Sequence, residues 1–226
     1  MKKVLFGLFA LSTVALAAET NLYLRTGADL NGKYQTMKIY EEDMSTEKAD
    51  EFSYEFAVEV TKNLTENLEF GFGLAYQNHG APNGTVGYEE FDDHYKAEYD
   101  MKGYISVPLY LTLKYNFNAV NNFVPYIKAN LGYSFNEDDG DIKYTETNLT
   151  EKISESYKYG VDMNNGLYYG IGVGFEYNNF TLDLMYQVNE ATAKITDKDP
   201  GYEYRTIEQD CNYSRITLGF GYKFNF

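Results

Sequence analysis

The sequence predicts an all-β fold, an eight-stranded antiparallel up-and-down transmembrane β-barrel. Three observations predict it: eight segments alternate between apolar and polar residues, short connections alternate with long ones, and Tyr and Phe are abundant beside many charges. Alternation with period two is typical of a strand that has one apolar and one polar face. The segments are about 9–13 residues long, which matches a tilted strand crossing a bilayer.

Residues 1–17 have the organisation of a secretory signal peptide. Lys2 and Lys3 form a positive start, an apolar run extends from Val4 to Leu16, and residues 15–17 form an A-x-A cleavage site. The alternative is a buried N-terminal helix. We expect residues 18–226 to form one mature barrel domain. This domain contains 17 Lys and Arg and 34 Asp and Glu, which gives a net charge of −17. That acidity argues against a nucleic-acid partner.

The C-terminal segment shows the alternation most clearly. From Ile216 to Phe226 every second residue is Ile, Leu, Phe or Tyr, and the residues between them are polar or Gly. Seven further segments repeat the pattern, and Asn178-Asn179 between two of them predicts a tight hairpin turn. The eight predicted strands are 21–30, 53–61, 68–77, 105–117, 125–135, 167–177, 180–189 and 213–226.

The connections between these strands are unequal. Short connections at 62–67, 117–123 and 178–179 alternate with long polar loops near 38–51, 78–103, 136–165 and 190–212. Short turns at one end and long loops at the other are typical of a membrane barrel. Pro108 lies inside a predicted strand, and because proline cannot donate to the ladder we expect a bulge there.

Alternation alone does not orient the strands, since a soluble lipocalin-like barrel turns its apolar face inward and a membrane barrel turns it outward. The glycines favour the membrane barrel, because an eight-stranded barrel is so narrow that small residues leave room for long neighbours. They all share the polar face: Gly71, Gly73, Gly132, Gly170, Gly172, Gly174, Gly219 and Gly221. The alternative is an ordinary solvated sheet face.

Charges on the polar face agree with this orientation. Five basic and six acidic residues nearly balance there, which favours mutual pairing in a confined space. The eleventh of these residues is Asp29. The other ten form the predicted lumen charge network: Arg25, Glu55, Glu59, Glu69, Lys114, Lys128, Glu176, Asp183, Arg215 and Lys223.

A family resemblance follows from these residues. The signal peptide, the eight strands and the ending LGFGYKFNF resemble the small bacterial outer-membrane barrels of the OmpA-like, OmpW-like and opacity-type superfamily. The resemblance implies localisation in the bacterial outer membrane and recognition by the barrel assembly machinery. The implied recognition signal is Leu218, Phe220, Tyr222, Phe224 and Phe226.

The sequence presents no recognisable catalytic or cofactor site, so we expect no enzyme activity and no cofactor or metal. His79 and His94 are the only histidines, and although Asp92 or Asp93 could accompany His94, no serine lies nearby in sequence. The acidic run 136–141 lacks the spacing of a calcium loop. Cys211 is the only cysteine, so an internal disulfide is excluded.

The preferred hypothesis for function is an integral outer-membrane barrel with a structural or surface-interaction role and a lumen plugged by paired charges. The alternatives are a narrow porin-like channel for ions or small solutes, and an adhesin acting through acidic, Tyr-rich loops at 41–51, 88–100 and 199–210. Expected partners are membrane lipids, lipopolysaccharide, the assembly machinery and host surface proteins.

Overall fold

A computed structural model describes residues 20–35, 37–39, 42–44, 49, 51–81, 83–90, 93–137, 140–197 and 206–226. The predicted signal peptide lies outside these residues. The described part is all-β and contains no helix long and apolar enough to cross a bilayer. Its strands are β1 (Thr20–Tyr34), β2 (Met37–Ile39), β3 (Glu42–Met44), β4 (Tyr54–Asn63), β5 (Leu68–Asn78), β6 (Asn83–Glu90), β7 (Asp93–Asp100), β8 (Ile105–Asn116), β9 (Phe123–Glu137), β10 (Ile142–Asn148), β11 (Ile153–Asn164), β12 (Gly166–Tyr177), β13 (Phe180–Asn189), β14 (Thr192–Asp197), β15 (Thr206–Asp210) and β16 (Tyr213–Asn225).

Eight of these strands close into an antiparallel barrel, which confirms the predicted fold class. Their order around the barrel is β1-β16-β13-β12-β9-β8-β5-β4, and β4 pairs with β1 to complete the cylinder. Each of the eight predicted segments is one of these strands. Closure leaves the barrel without a free edge, so all its strands have partners on both sides.

The predicted bulge at Pro108 is wrong. The pairing of β5 with β8 skips the positions opposite Pro108 and resumes in the same register, from Leu74↔Leu109 to Gln77↔Ser106. The ladder therefore loses pairs without gaining a residue, which is enough to accommodate the missing N–H. A register shift occurs instead in β1 between Asp29 and Asn31, opposite β16.

The short connections form tight turns at one end of the barrel, which we call the short-turn end. Asn178 and Asn179 have φ of 47° and 70°, and Asn121 and Asn122 have φ of 52° and 65°. Positive φ at both central residues is typical of a type I′ hairpin turn, in which Asn is favoured. The tight turn predicted at Asn178-Asn179 is confirmed.

The long connections are not merely polar loops, which corrects the sequence interpretation. They contain β2 and β3, which pair with each other, and a six-stranded sheet of order β15-β14-β11-β10-β7-β6. This outer sheet extends the hairpins of the barrel beyond the wall. Its inward positions hold residues such as Ile142, Tyr159 and Ile195, and its outward positions hold Thr, Ser, Lys and acids. These segments also alternate between apolar and polar residues, but the alternation is hard to recognise in the sequence because the segments are highly charged.

The outside of the barrel is apolar. A central aliphatic band contains exposed residues such as Leu111, Ile171 and Leu184. Aromatic residues border it at both ends, with Tyr115 and Tyr177 near the short turns. The other aromatic border, toward the outer sheet, includes Tyr54, Tyr76, Tyr133, Phe135 and Tyr169. An apolar band between two aromatic girdles is the surface that a transmembrane barrel presents to lipid.

The barrel interior as candidate functional site

All ten residues of the predicted charge network lie on the inward face of the barrel. Eight are buried, and Glu176 and Lys223 near the short-turn end are half-buried. Successive side chains of a strand point to opposite faces, and each of these residues occupies a position whose side chain points into the lumen. Asp29, the eleventh charged residue of this face, contacts Arg215 with Nη1 and Oδ2 3.5 Å apart.

Glu69 organises the cluster at the short-turn end. Its carboxylate lies 3.5 Å from Lys114 Nζ and 3.4 Å from Lys223 Nζ, and it accepts hydrogen bonds from Thr61 at 2.7 Å and the Tyr23 hydroxyl at 2.8 Å. Glu176 contacts both lysines, at 3.0 Å from Lys114 and 3.5 Å from Lys223. Two carboxylates and two ammonium groups thus neutralise one another.

Three further ion pairs lie in the middle of the lumen. Lys128 Nζ lies 2.5 Å from Glu59, which also accepts a hydrogen bond from the Tyr110 hydroxyl at 2.8 Å. Arg25 bridges two carboxylates: its Nε donates to Asp183 at 2.9 Å, and its Nη1 donates to Glu55. These charges have left water and are paired, which is the condition under which buried charge is tolerated.

Arg215 continues the network toward the outer sheet. Its Nη2 donates to Glu55 at 2.8 Å, and its Nε donates to Gln187 at 3.0 Å. Gln77 donates to Glu55 at 3.1 Å and accepts from Asn189 at 2.9 Å. Glu55 therefore contacts both Arg25 and Arg215. The ion pairs in the middle of the lumen and the contacts of Arg215 toward the outer sheet thus form one connected network.

The inward glycines provide the space for these long side chains, as predicted. A Cβ at Gly73 would lie 2.3 Å from the ring of Tyr110, and one at Gly219 would lie 2.3 Å from Nη2 of Arg25. A Cβ at Gly174 would lie 2.6 Å from Tyr126. Contacts this short are excluded for real side chains, so a larger residue would displace a member of the network.

A cap cluster lies where the barrel meets the outer sheet. We define it as the buried residues Tyr34, Met101, Tyr104, Ile142, Tyr159, Val161, Ala191, Ala193, Ile195, Cys211 and Tyr213, together with His79. The His79 ring lies between Tyr104 and Tyr213, with centroids 4.5 and 4.3 Å away. The inward face of the outer sheet thus packs over the mouth of the lumen.

Burial governs the titration of the cap cluster. Burial, and secondarily the charge of Arg215, lowers the pKa of His79 well below its ordinary value. Burial raises the pKa of the Cys211 thiol to about 12. Both groups are therefore neutral near pH 7, and a thiol held in its protonated form is a poor nucleophile.

Folding brings a serine to His79, which sequence spacing does not reveal. His79 Nε2 and Ser106 Oγ are 2.8 Å apart, and Ser106 donates to Asn136 Oδ1 at 2.7 Å. Because the hydroxyl hydrogen points to Asn136, Nε2 carries the proton and donates to Ser106. The histidine is not placed to accept a proton from this serine, as a general base must.

The remaining histidine and the acidic residues considered with it form no described site. His94 lies in β7 and is exposed, whereas Asp92 and the side chain of Asp93 lie outside the described part of the chain. Among the described residues no group of three His, Cys, Asp or Glu side chains could hold a metal ion.

The residues of the implied assembly signal lie on the outward face of β16. Leu218, Phe220, Phe224 and Phe226 are exposed, and Tyr222 is half-buried. Tyr222 and Phe224 contact edge to face, with ring centroids 4.8 Å apart. The strand therefore presents one continuous apolar stripe toward the membrane.

The sequence analysis did not include uncharged residues in the predicted lumen network, although the alternation of their strands places some of them on the inward face. Tyr23, Tyr110 and Tyr126 donate to Glu69, Glu59 and Asp183 respectively. They can be identified in the sequence as residues that occupy inward positions of a strand and carry a side chain able to form hydrogen bonds. The cap cluster had no comparable signal, because most of its members come from segments interpreted as loops.

An eight-stranded barrel with lipid-facing apolar residues outside and ion pairs inside defines an integral outer-membrane barrel protein. The chain belongs to the family of the outer membrane protein beta-barrel domain, whose model matches residues 4–224. It resides in the bacterial outer membrane. In such barrels the short turns face the periplasm, so the outer sheet is extracellular.

The chain is similar to one curated relative and to solved outer-membrane barrels. An uncharacterized protein of Pasteurella multocida strain Pm70 is 30% identical over 240 residues, which cover 99% of this chain and 98% of the relative. The outer membrane protein OprG of Pseudomonas aeruginosa is 14% identical, with a TM-score of 0.51 over 94% of this chain and 99% of that one. Ail of Yersinia pestis is 16% identical, with a TM-score of 0.38 over 92% and 100%.

Proposed function

We propose that the protein is a non-conducting structural and surface-interaction barrel, whose lumen is plugged by paired charges and whose extracellular sheet meets partners outside the cell. The observation that carries the plug is the connected network through Glu55, Arg25 and Arg215, which crosses the lumen with buried side chains. The cap cluster adds a second, apolar obstruction at the extracellular mouth.

Single-channel recording in planar bilayers tests the plug. The protein is expected to give no stable conductance, because an ion would have to displace buried ion pairs. The double variant Glu55→Ala, Arg215→Ala removes both side chains at the junction of the network and is expected to give measurable openings. The matched control is Lys96→Ala, which removes a cation from the exposed extracellular sheet. Large, stable conductance in the unmodified protein would contradict the plug.

A narrow channel for ions or small solutes is the second candidate. Three inward polar atoms, Thr112 Oγ1, Asn130 Oδ1 and Asn189 Oδ1, are buried without a hydrogen-bond partner among the described residues. Buried polar atoms of this kind pair with water, so a thread of water beside the ion pairs is the observation in its favour. Small stable conductance with ion selectivity in the same recordings would select the channel.

The surface-interaction role is supported by the extracellular sheet. Six paired strands form a rigid platform, and its outward face carries hydroxyl pairs such as Thr145 with Ser156 at 3.1 Å and Thr147 with Ser154 at 3.0 Å. Loops on a rigid scaffold are where binding residues concentrate. Replacement of the outward residues Thr145, Thr147, Ser154 and Ser156 by alanine keeps these strands and is expected to reduce attachment to host surface proteins if the protein acts as an adhesin.

Recognition of the β16 stripe by the barrel assembly machinery belongs to the same proposal. The stripe ends at Phe226, whose side chain is 63% exposed and available to a partner before insertion. The variant Phe226→Ser is expected to slow insertion into membranes that contain the assembly machinery. Spontaneous folding of the same variant into detergent is expected to stay unchanged.

A further inference from the structure

The outer surface of β1 differs from that of the other barrel strands. Its central outward residues, Thr26 and Ala28, are small, whereas its neighbours carry Phe56 on β4 and Leu218 and Phe220 on β16. Two depressions of about 450 and about 590 Å³ lie over this region and share Thr26, Phe56 and Phe220. Because they adjoin at these three residues, we consider them together and call them the β1 groove.

The β1 groove is a gap in an otherwise filled apolar band. Among the described residues no other barrel strand has two successive small residues on its outward face, and β9 has a single one, Ala129. The Thr26 hydroxyl donates to the backbone oxygen of Glu55 at 3.2 Å, so its polar atom is satisfied within the wall. The groove therefore offers an apolar surface without an unpaired polar group.

The position of the groove indicates its occupant. It lies within the lipid-facing band, so it is continuous with the established membrane interface and meets acyl chains. Its wall on β4 extends from Val58 to Tyr54, the extracellular half of that strand, and Phe52, which precedes the strand, is 71% exposed at the open end of the groove. In the outer membrane this level corresponds to the outer leaflet, whose lipid is lipopolysaccharide.

A lysine side chain lies on the extracellular side of the groove, on the same strand β1. Lys33 is exposed on the extracellular part of β1, five residues beyond Ala28, which corresponds to about 15 Å along a strand. No ion-pair partner of Lys33 occurs among the described residues. An ammonium group at this level complements the phosphate groups that lie above the acyl chains of an outer-leaflet lipid.

We propose that the β1 groove binds one acyl chain of the lipid A part of lipopolysaccharide, and that Lys33 contacts a phosphate of the same molecule. The bound lipid fills the space between the aromatic residues of β4 and β16. This assignment is independent of whether the lumen conducts.

Native mass spectrometry of the full-length protein in detergent tests the proposal. Purified lipid A and phosphatidylethanolamine are added in separate samples at equal concentration, and the fraction of protein that retains one lipid on collisional activation is measured. The double variant Thr26→Leu, Ala28→Leu fills the groove and is expected to reduce lipid A retention at least fivefold. Ala129→Leu, which makes the same kind of change on the opposite wall, is expected to leave it unchanged.

Two further measurements separate the parts of the proposal. Lys33→Gln is expected to lower lipid A retention severalfold without changing phosphatidylethanolamine retention. Heat-modifiable migration on gels verifies that each variant is folded. Equal lipid A retention in the groove-filled variant and the unmodified protein overturns the groove, and equal retention of both lipids overturns the assignment to lipid A. An unchanged Lys33→Gln variant overturns the phosphate contact.

Discussion

At the scale of single residues, Arg25 illustrates how the lumen tolerates charge. Its guanidinium contacts Asp183 and Glu55 from strands on either side of the barrel, and the Tyr126 hydroxyl donates to Asp183 at 3.1 Å. The planar fork of arginine suits two carboxylates at once, which a lysine does not. Removal of Arg25 would leave two buried carboxylates facing each other.

Arg25→Met is therefore expected to destabilise the protein by about 3–5 kcal/mol, the usual cost of breaking a buried pair. The free energy of unfolding in urea, measured in lipid vesicles, checks this. Lys96→Met is the matched control, since Lys96 and Glu98 pair on the extracellular sheet with side chains 44% and 51% exposed, and its cost is expected to be about 0–1 kcal/mol. Equal effects of the two substitutions would show that the lumen pair is solvated.

At the scale of elements, the eight barrel strands could be predicted because their alternation is long and free of charge on one face. The placement of Lys128 and Glu176 inside followed from the alternation together with the glycines that share their face. The outer strands could not be predicted in the same way. In β10, for example, Ile142 and Tyr144 alternate with Lys143 and Thr145, but Glu146 interrupts the apolar face. β10 is held by pairing with β11 across a short hairpin and with β7, which is distant in sequence.

The cap cluster is expected to loosen in acid. Because burial lowers the pKa of His79, the unfolded segment binds a proton below about pH 6.5 that the folded segment excludes. The contribution of His79 to stability is thus unaffected above that pH and falls by up to about 1.4 kcal/mol per unit as pH decreases toward the lowered pKa. The groups that face the ring are Tyr104, Tyr213 and Arg215, none of which offers a negative charge at these pH values.

Hydrogen exchange at the segment 101–106 measures this effect. The ratio of the exchange rate of the unmodified protein to that of His79→Gln is expected to rise as the pH is lowered from 7.5 to 5.5, because only the unmodified protein can gain a proton at this position. Comparison at equal pH removes the intrinsic pH dependence of exchange. A ratio that is the same at both pH values would mean that His79 is solvated or paired.

At the scale of the whole molecule, the orientation of the two faces decides between a membrane barrel and a soluble one. Leu184 is 44% exposed on the outside, whereas Lys128 and Glu59 are buried within. The sequence could supply this orientation because small residues cluster on the polar face, where only a narrow interior needs them. It could not supply the cap cluster or the β1 groove, since both arise between strands that are separated along the chain.

Tryptophan fluorescence checks the orientation, because the chain contains no Trp. Leu184→Trp in lipid vesicles is expected to emit at short wavelength and to be quenched by brominated lipid. Ser156→Trp, on the outward face of the extracellular sheet, is expected to emit at longer wavelength and to be quenched by aqueous iodide. Quenching of Leu184→Trp by iodide would contradict the membrane-facing assignment.

The hairpin of β2 and β3 shares no backbone ladder with the six-stranded sheet, since within the described residues these two strands pair only with each other. Foreign peptides inserted into this hairpin would therefore interrupt no shared ladder, whereas an insertion between β10 and β11 would disturb backbone bonds to two neighbouring hairpins. The first connection is consequently the natural position for displaying an epitope on the cell exterior.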